Sequence, residues 1–179
     1  KFYSQQLSIT SCTNCDYITV NFDPYMVLSL EIPKDSSSIY DCLNSYTQTT
    51  TLDCDNTWTC DKCKEKVQPE KKIKLWKTSN VIIILLKRYS LFQKKDNFIE
   101  FPLQLNLEDY LIDYEKKGKN YKLSGICIQS GSLGGGHYYA MCHNELDGRW
   151  REYNDTHVRE VSEDELLRQK PYCLFYRRL

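Results

Sequence analysis

The stretch "SLGGGHYYAMCHNELDGRWREYNDTHV", Ser132 to Val158, decides how this chain reads. Two segments rich in aromatic residues, 137–144 and 149–154, flank an Asp147-Gly148 turn signal and read as an antiparallel hairpin. The glycine run leads straight into His137, and the second strand ends at Asn154-Asp155. A four-residue loop, Asn144 to Asp147, sets His137 opposite Asn154. A five-residue loop ending at Gly148 sets it opposite Asp155, and a strict two-residue Asp-Gly turn pairs it with Val158. In the first two registers the Cβ atoms lie about 4.5–5.5 Å apart, close enough for a side-chain hydrogen bond.

Outward from the hairpin the chain stays strand-rich. Residues 72–90 (KIKLWKTSNVIIILLKRYS) read as two strands joined at Thr78-Ser79-Asn80, the second apolar enough to be buried on both faces. Residues 16–32 read as strands interrupted near Asp23-Pro24. Residues 98–111 read as a strand broken at Pro102 and followed by a helical turn, and 121–129 and 172–178 as further strands. Asp113–Asn120, with Gly118, reads as a polar loop. Ser37 or Ser38 caps a short helix with Ile39, Cys42, Leu43 and Tyr46 on one face, ending near Thr47. Ser162 with Glu165 three residues on is a capping-box signal for a second helix. The fold class is α+β, mainly antiparallel β with a few short helices.

The 179 residues fit one domain, and 41% apolar content allows a sizeable core. Lys plus Arg and Asp plus Glu are 24 each, so a net charge of zero gives no general grip on nucleic acid or an anionic membrane. The run Val81–Leu86 is too short to span a bilayer. Of nine cysteines, four form two Cys-x-x-Cys pairs, Cys12/Cys15 and Cys60/Cys63. Two such knuckles supply the four soft thiolates of a closed tetrahedral zinc site, structural rather than catalytic. A redox pair would occur once, near a βαβ pattern that is absent here. The remaining thiols sit at apolar-looking positions, which favours a reducing compartment, cytoplasmic or nuclear.

His137 with Asn154 matches the base and orienter of a Cys-His-Asn arrangement, the thiol counterpart of a serine triad. Taken alone, a histidine among tyrosines is more often a packing residue, and His143 and His157 read as solvent-facing. The pattern becomes specific in context: the knuckles, Leu86-Lys87-Arg88-Tyr89 and Gly135-Gly136-His137-Tyr138 stand in an order that resembles the ubiquitin-specific protease family throughout the chain. That resemblance implies the fingers and palm of a papain-like cysteine protease domain: about residues 1–80 as fingers ending in a zinc ribbon, and 81–179 as palm. It implies His137 as general base, Asn154 as third triad member and Asp155 as an assisting acid. It also implies that Ser130, Gly131, Gly135, Gly136 and Tyr138 border the channel for ubiquitin's C-terminal tail. One structural zinc, held by Cys12, Cys15, Cys60 and Cys63, is the implied cofactor. Ubiquitin and ubiquitinated proteins are the implied partners.

Two departures stand out. Gln129 occupies a position where the family usually has His, and the Pro common before the buried strand is replaced around Ser79-Asn80. The family's N-terminal Cys box and thumb have no counterpart in the sequence. The expectation is therefore a chain that is inactive as given, its nucleophile lying in a preceding segment, on a separate thumb chain, or lost by natural truncation. A non-catalytic zinc-stabilised ubiquitin-binding scaffold is the alternative from another class.

Overall fold

The computed structural model describes residues 2–90, 93–112, 119–132 and 135–179. In chain order, strands β1 (Ser4–Ser11), β2 (Ile18–Tyr25) and β3 (Val27–Leu30) precede helix α1 (Ile39–Thr47). Short strands β4 (Thr50–Thr51), β5 (Trp58–Thr59) and β6 (Lys66–Val67) lead to β7 (Glu70–Lys77) and β8 (Val81–Leu86). Then come β9 (Gln104–Asn106), β10 (Asn120–Ser132), β11 (Gly135–Asn144), β12 (Arg149–Asn154) and β13 (His157–Val161). Helix α2 (Glu163–Leu167) and β14 (Pro171–Arg178) close the chain. The expected loop Asp113–Asn120 lies outside the described residues except for Lys119 and Asn120, the latter opening β10.

The strands form a four-stranded antiparallel sheet in the order β2-β1-β7-β4 and an eight-stranded sheet in the order β13-β12-β11-β10-β14-β8-β3. Strand β9 joins the second sheet through β10, and β5 pairs with β6 alone. The pairing of β3 with β8 is parallel, Val27 opposite Ile83, and the other ladders are antiparallel. The first eighty residues therefore contribute to both sheets, since β3 belongs to the larger one. Strand β8 is fully buried at Ile82, Ile84 and Leu86, while Val81, Ile83 and Leu85 are only half-buried. It packs one face into the core and partly screens the other.

Helix α1 begins where the sequence places it. Ser38 Oγ accepts the Asp41 N–H at 3.3 Å, and Asp41 Oδ2 accepts the N–H groups of Ser37 and Ser38 at 2.9 Å each. This is the capping box with Asp in place of Glu. Ile39, Cys42 and Leu43 lie on one face with no solvent exposure, in the core with Leu30, Ile84 and Phe101. Buried tyrosines bring their hydroxyls to partners: Tyr176 to the Pro102 carbonyl at 2.7 Å and Tyr121 to that of Ser79 at 2.9 Å. Arg88, only 2% exposed, donates from Nε to the Pro171 carbonyl at 2.8 Å and from Nη1 to those of Lys95 and Asn97. Its planar fork thereby ties the end of β8 to the start of β14.

Three local expectations change. The break in residues 16–32 falls at Met26 rather than at Asp23-Pro24. Pro24 is accommodated because β2 is an edge strand, where a missing N–H costs no ladder bond. Strands β1 and β13 are additional. β1 is largely polar, and β13 is held by cross-strand charge pairs, with Arg151 opposite Glu160 and Glu152 opposite Arg159. At Ser162 the backbone half of the capping box forms, to the Glu165 N–H at 3.2 Å, while the Glu165 carboxylate pairs with Arg159.

Candidate active site and metal centre

The β11–β12 hairpin sets the site. Its loop is Glu145–Gly148, and the ladder runs from Asn144 opposite Arg149 to Ala140 opposite Tyr153. That register is two residues away from the one that would set His137 opposite Asn154. A slip of two residues preserves the face each side chain points to, whereas a slip of one reverses it. His137 and Asn154 accordingly remain on one face as diagonal neighbours and meet through their side chains. His137 Nε2 lies 2.6 Å from Asn154 Oδ1. An amide oxygen only accepts, so Nε2 carries the proton and Nδ1 keeps its lone pair free.

Asp155 Oδ2 is 3.9 Å from the same Nε2, beyond hydrogen-bond reach and 76% exposed. Asp155 adopts φ 51°, a left-handed conformation that Asp tolerates better than most residues, at the tip of the turn closed by Asn154 opposite His157. Tyr139 stacks near the His137 ring, 6.4 Å between centroids with planes 19° apart. Sequence reasoning missed this contact, whose only signal is the period-two spacing of the two residues. His143 is half-buried and edge-on to Trp150, and His157 is exposed.

The approach to His137 is a close strand crossing. Ser130 pairs with His137, Gly131 with Gly136 and Ser132 with Gly135. Gly131 has φ 111°, and a Cβ there would lie 2.7 Å from Gly136 Cα. A Cβ on Gly136 would strike the Gln129 side chain and the Ser130 carbonyl. Tyr138 is 54% exposed and, by strand alternation, points to the face opposite His137. There it meets Tyr172 edge-on at 6.0 Å, and Tyr172 meets Tyr89 at 6.1 Å. Gln129 shares that face, its side-chain oxygen accepting the Tyr89 hydroxyl.

The two knuckles converge at the far end of the four-stranded sheet. Each is closed by the same turn: the Cys12 N–H bonds the Tyr17 carbonyl and the Cys60 N–H that of Glu65, both at 2.9 Å. The four sulfurs lie within 4.8 Å of one another, with Cys12–Cys63 at 3.8 Å and Cys15–Cys60 at 3.6 Å. Four thiolates around one zinc, each bonded at about 2.3 Å, stand ~3.8 Å apart, so the donor set fits such an ion. Burial pushes the Cys60 thiol up, but the N–H groups of Cys63 and Lys62 and the neighbouring thiols outweigh it and bring Cys60 down to about 7. Elsewhere burial pushes the thiols of Cys42, Cys127 and Cys142 up, and Cys173 to about 11.

Residues 2–176 match the family model described as ubiquitin carboxyl-terminal hydrolase. The chain belongs to that family. A probable ubiquitin carboxyl-terminal hydrolase of Acanthamoeba polyphaga mimivirus is 37% identical over 174 residues, covering 92% of this chain and 37% of the relative. Ubiquitin carboxyl-terminal hydrolase 21 of Homo sapiens is 34% identical over 186 residues, covering 98% of this chain and 32% of the relative. The chain thus spans about a third of the length of these curated relatives. Among solved structures, a chain of the SAGA Ubp8/Sgf11/Sus1/Sgf73 DUB module bound to ubiquitin aldehyde superposes with a TM-score of 0.87 at 33% identity. That match covers 99% of this chain and 41% of the other. The hydrolase fold read from the sequence, mainly antiparallel sheets with few helices, is therefore the fold of this chain. Among the described residues, no helix is long and apolar enough to cross a membrane.

Proposed function

We propose that this chain is the fingers and palm of a deubiquitinating cysteine protease, in which His137 is the general base, Asn154 its orienter and Asp155 an assisting acid. The observation that carries the reading is the 2.6 Å contact from His137 Nε2 to Asn154, which leaves Nδ1 free as proton acceptor. Nδ1 takes the proton of a thiol as the sulfur attacks the carbonyl of ubiquitin's last glycine. The same nitrogen returns that proton to the departing amine. Water then cleaves the thioester, with His137 again as base. Family membership, and the ubiquitin aldehyde bound to the similar Ubp8 module, support ubiquitin as the substrate.

The nucleophile is assigned to a part of the enzyme outside this segment, so the segment alone is inactive. Burial raises Cys42, Cys127, Cys142 and Cys173, which marks them as resting packing thiols. Ser130, Gly131, Gly135, Gly136 and the exposed Tyr138 are assigned to the border of the channel for ubiquitin's tail. The four-stranded sheet with its knuckles corresponds to the fingers and the eight-stranded sheet to the palm. One zinc per chain at Cys12, Cys15, Cys60 and Cys63 would stabilise the fingertip and take no part in the reaction. The convergence of Cys12, Cys15, Cys60 and Cys63 as a thiolate donor set supports a reducing, cytoplasmic or nuclear setting.

The test is hydrolysis of a ubiquitin C-terminal amide by the protein carrying its own upstream segment. H137A lowers the rate by about 10²–10⁴-fold with ubiquitin binding retained. Ubiquitin binding without any His137-dependent hydrolysis would instead leave the scaffold reading standing. A covalent adduct of the 179-residue segment alone with an electrophilic ubiquitin probe would overturn the assignment of the nucleophile.

A further inference from the structure

The ladder between β10 and β14 ends at Ile128 opposite Pro171, so among the described residues β10 beyond Ile128 has no strand on that side. On its other side the same segment carries the β11 ladder, including Ser130 opposite His137. In an extended strand the carbonyls of Gln129 and Gly131 point to one edge and that of Ser130 to the other. The geometry requires the open edge to be the Gln129 and Gly131 side, because the Ser130 carbonyl lies against Gly136 of β11. An open strand edge next to Gly131, at φ 111°, leaves this part of the hairpin with few backbone partners and prone to local opening.

Lys94 fills that edge. Its Nζ donates to the Gly131 carbonyl at 2.8 Å and to the Gln129 carbonyl at 3.2 Å. The same ammonium lies over the Tyr89 ring, 5.8 Å from its centroid. Residue 94 is itself tied to Tyr89 by an isolated antiparallel bridge, and the Tyr89 hydroxyl donates to the Gln129 side chain. One half-buried cation therefore grips the two carbonyls flanking the residue directly across the ladder from His137.

We propose that Lys94 is a positioning residue for His137: it replaces the missing strand on the β10 edge and so holds the Gly131–Gly136 crossing that aims the imidazole at Asn154. A charge-assisted donor suits this better than a neutral one, because two carbonyls converge on a single nitrogen. Lys94 touches neither His137 nor any reacting atom, and its effect passes through the backbone of β10 and β11. The proposal deepens the deubiquitinase reading and rests on it only for His137's role as base.

The test needs no ubiquitin, so it can fail independently of that reading. In the 179-residue chain, amide exchange is followed at Gly131, Ser132, Gly135 and Gly136, and the His137 ring nitrogens by nitrogen NMR. In the parent, Nε2 shows the protonated signature and Nδ1 the unprotonated one. K94M speeds exchange at those glycines and the serine by about tenfold and moves both ring nitrogens toward a tautomeric average. K94R, which keeps a charged donor, restores both. Exchange at Ile84 and Leu174 in the core stays at parent rates and separates local release from general destabilisation. K94Q, with a neutral donor, serves the same measurements should K94M fail to fold. Unchanged ring nitrogens in the charge-free variants, or K94R behaving like them, would overturn the proposal.

Discussion

The two ends of this molecule are held together by different means. In the larger sheet, Leu28, Ile84, Tyr121, Leu174 and Tyr176 are buried, with Phe101 and α1 against them, in one continuous core. At the knuckle end the buried cluster is Cys12, Cys60 and Val67, with Tyr17, Trp58 and the other two cysteines packed around it. Among the described residues, Val67 is then the one buried aliphatic side chain of that cluster. Burying a side chain of that size contributes about 1.5–3 kcal/mol, which cannot order two turns and a two-stranded ribbon. Its polar ties do not close the gap, because the Lys62–Asp16 pair is largely exposed and such pairs contribute little. The larger sheet is stabilised by apolar area, whereas the knuckle end offers in its place four converging sulfurs that could hold an ion. A change at one end should therefore leave a different trace from a change at the other.

The largest effect belongs to the sulfurs. Metal analysis of the chain should give close to one zinc, and C60S or a strong chelator should abolish it. Zinc binding in small metallo-domains is worth ~10 kcal/mol or more, so residues 10–17 and 56–67 should lose nearly all exchange protection. The core strands β8 and β10 should keep theirs, and loss of protection throughout the chain would break the contrast. The opposite arm is Leu174→Ala. Leu174 has no exposure and stands between Ile126 and Ile84 on the neighbouring strands, so truncation should cost about 2–5 kcal/mol through lost burial and a cavity. That variant should melt lower by thermal unfolding and still bind one zinc. Zinc loss in L174A at temperatures where it remains folded would show that the two ends are not independent.

The same division explains what the sequence made legible. The Cys-x-x-Cys spacing is a short-range constraint, so both knuckles and their meeting could be read without knowing the sheet between them. Helix α1 was equally readable, because the capping serines Ser37 and Ser38 and the apolar spacing of Ile39, Cys42 and Leu43 all lie within one short window, although the Asp41 half of the cap was not read. Strand β13 was not, since His157-Val158-Arg159-Glu160-Val161 carries no apolar alternation of its own. It exists because Trp150 to Asn154 offer partners across the ladder, which is a tertiary fact. The His137–Asn154 contact was found through a register that was wrong by two residues, and it survived because strand faces repeat every two. Lys94 could not be found at all: in the run Lys94-Lys95-Asp96 it reads as a solvated loop charge until the start of β14 at Pro171 leaves open the edge it covers.

The smallest expected effect tests whether the cap on α1 belongs with the core. The N–H groups of Ser37 and Ser38 hold the Asp41 carboxyl below the usual carboxylate range. A group depressed in the folded state contributes its stability above its unfolded pKa, and that contribution disappears as pH falls through the folded value. Asp41 should therefore support the helix fully at neutral pH and release it progressively below about pH 4. D41N keeps a side-chain oxygen as acceptor without the charge, so it should lower stability at pH 7 and flatten this part of the acid dependence. S38A removes the reciprocal half of the cap and should cost about 1 kcal/mol at any pH in that range. Both should register as small shifts in melting of the large sheet, with zinc content unchanged, because Ile39, Cys42 and Leu43 are anchored in that core. A cap variant that released zinc instead would mean that α1 holds the fingers, and the contrast between the two ends would have to be redrawn around it.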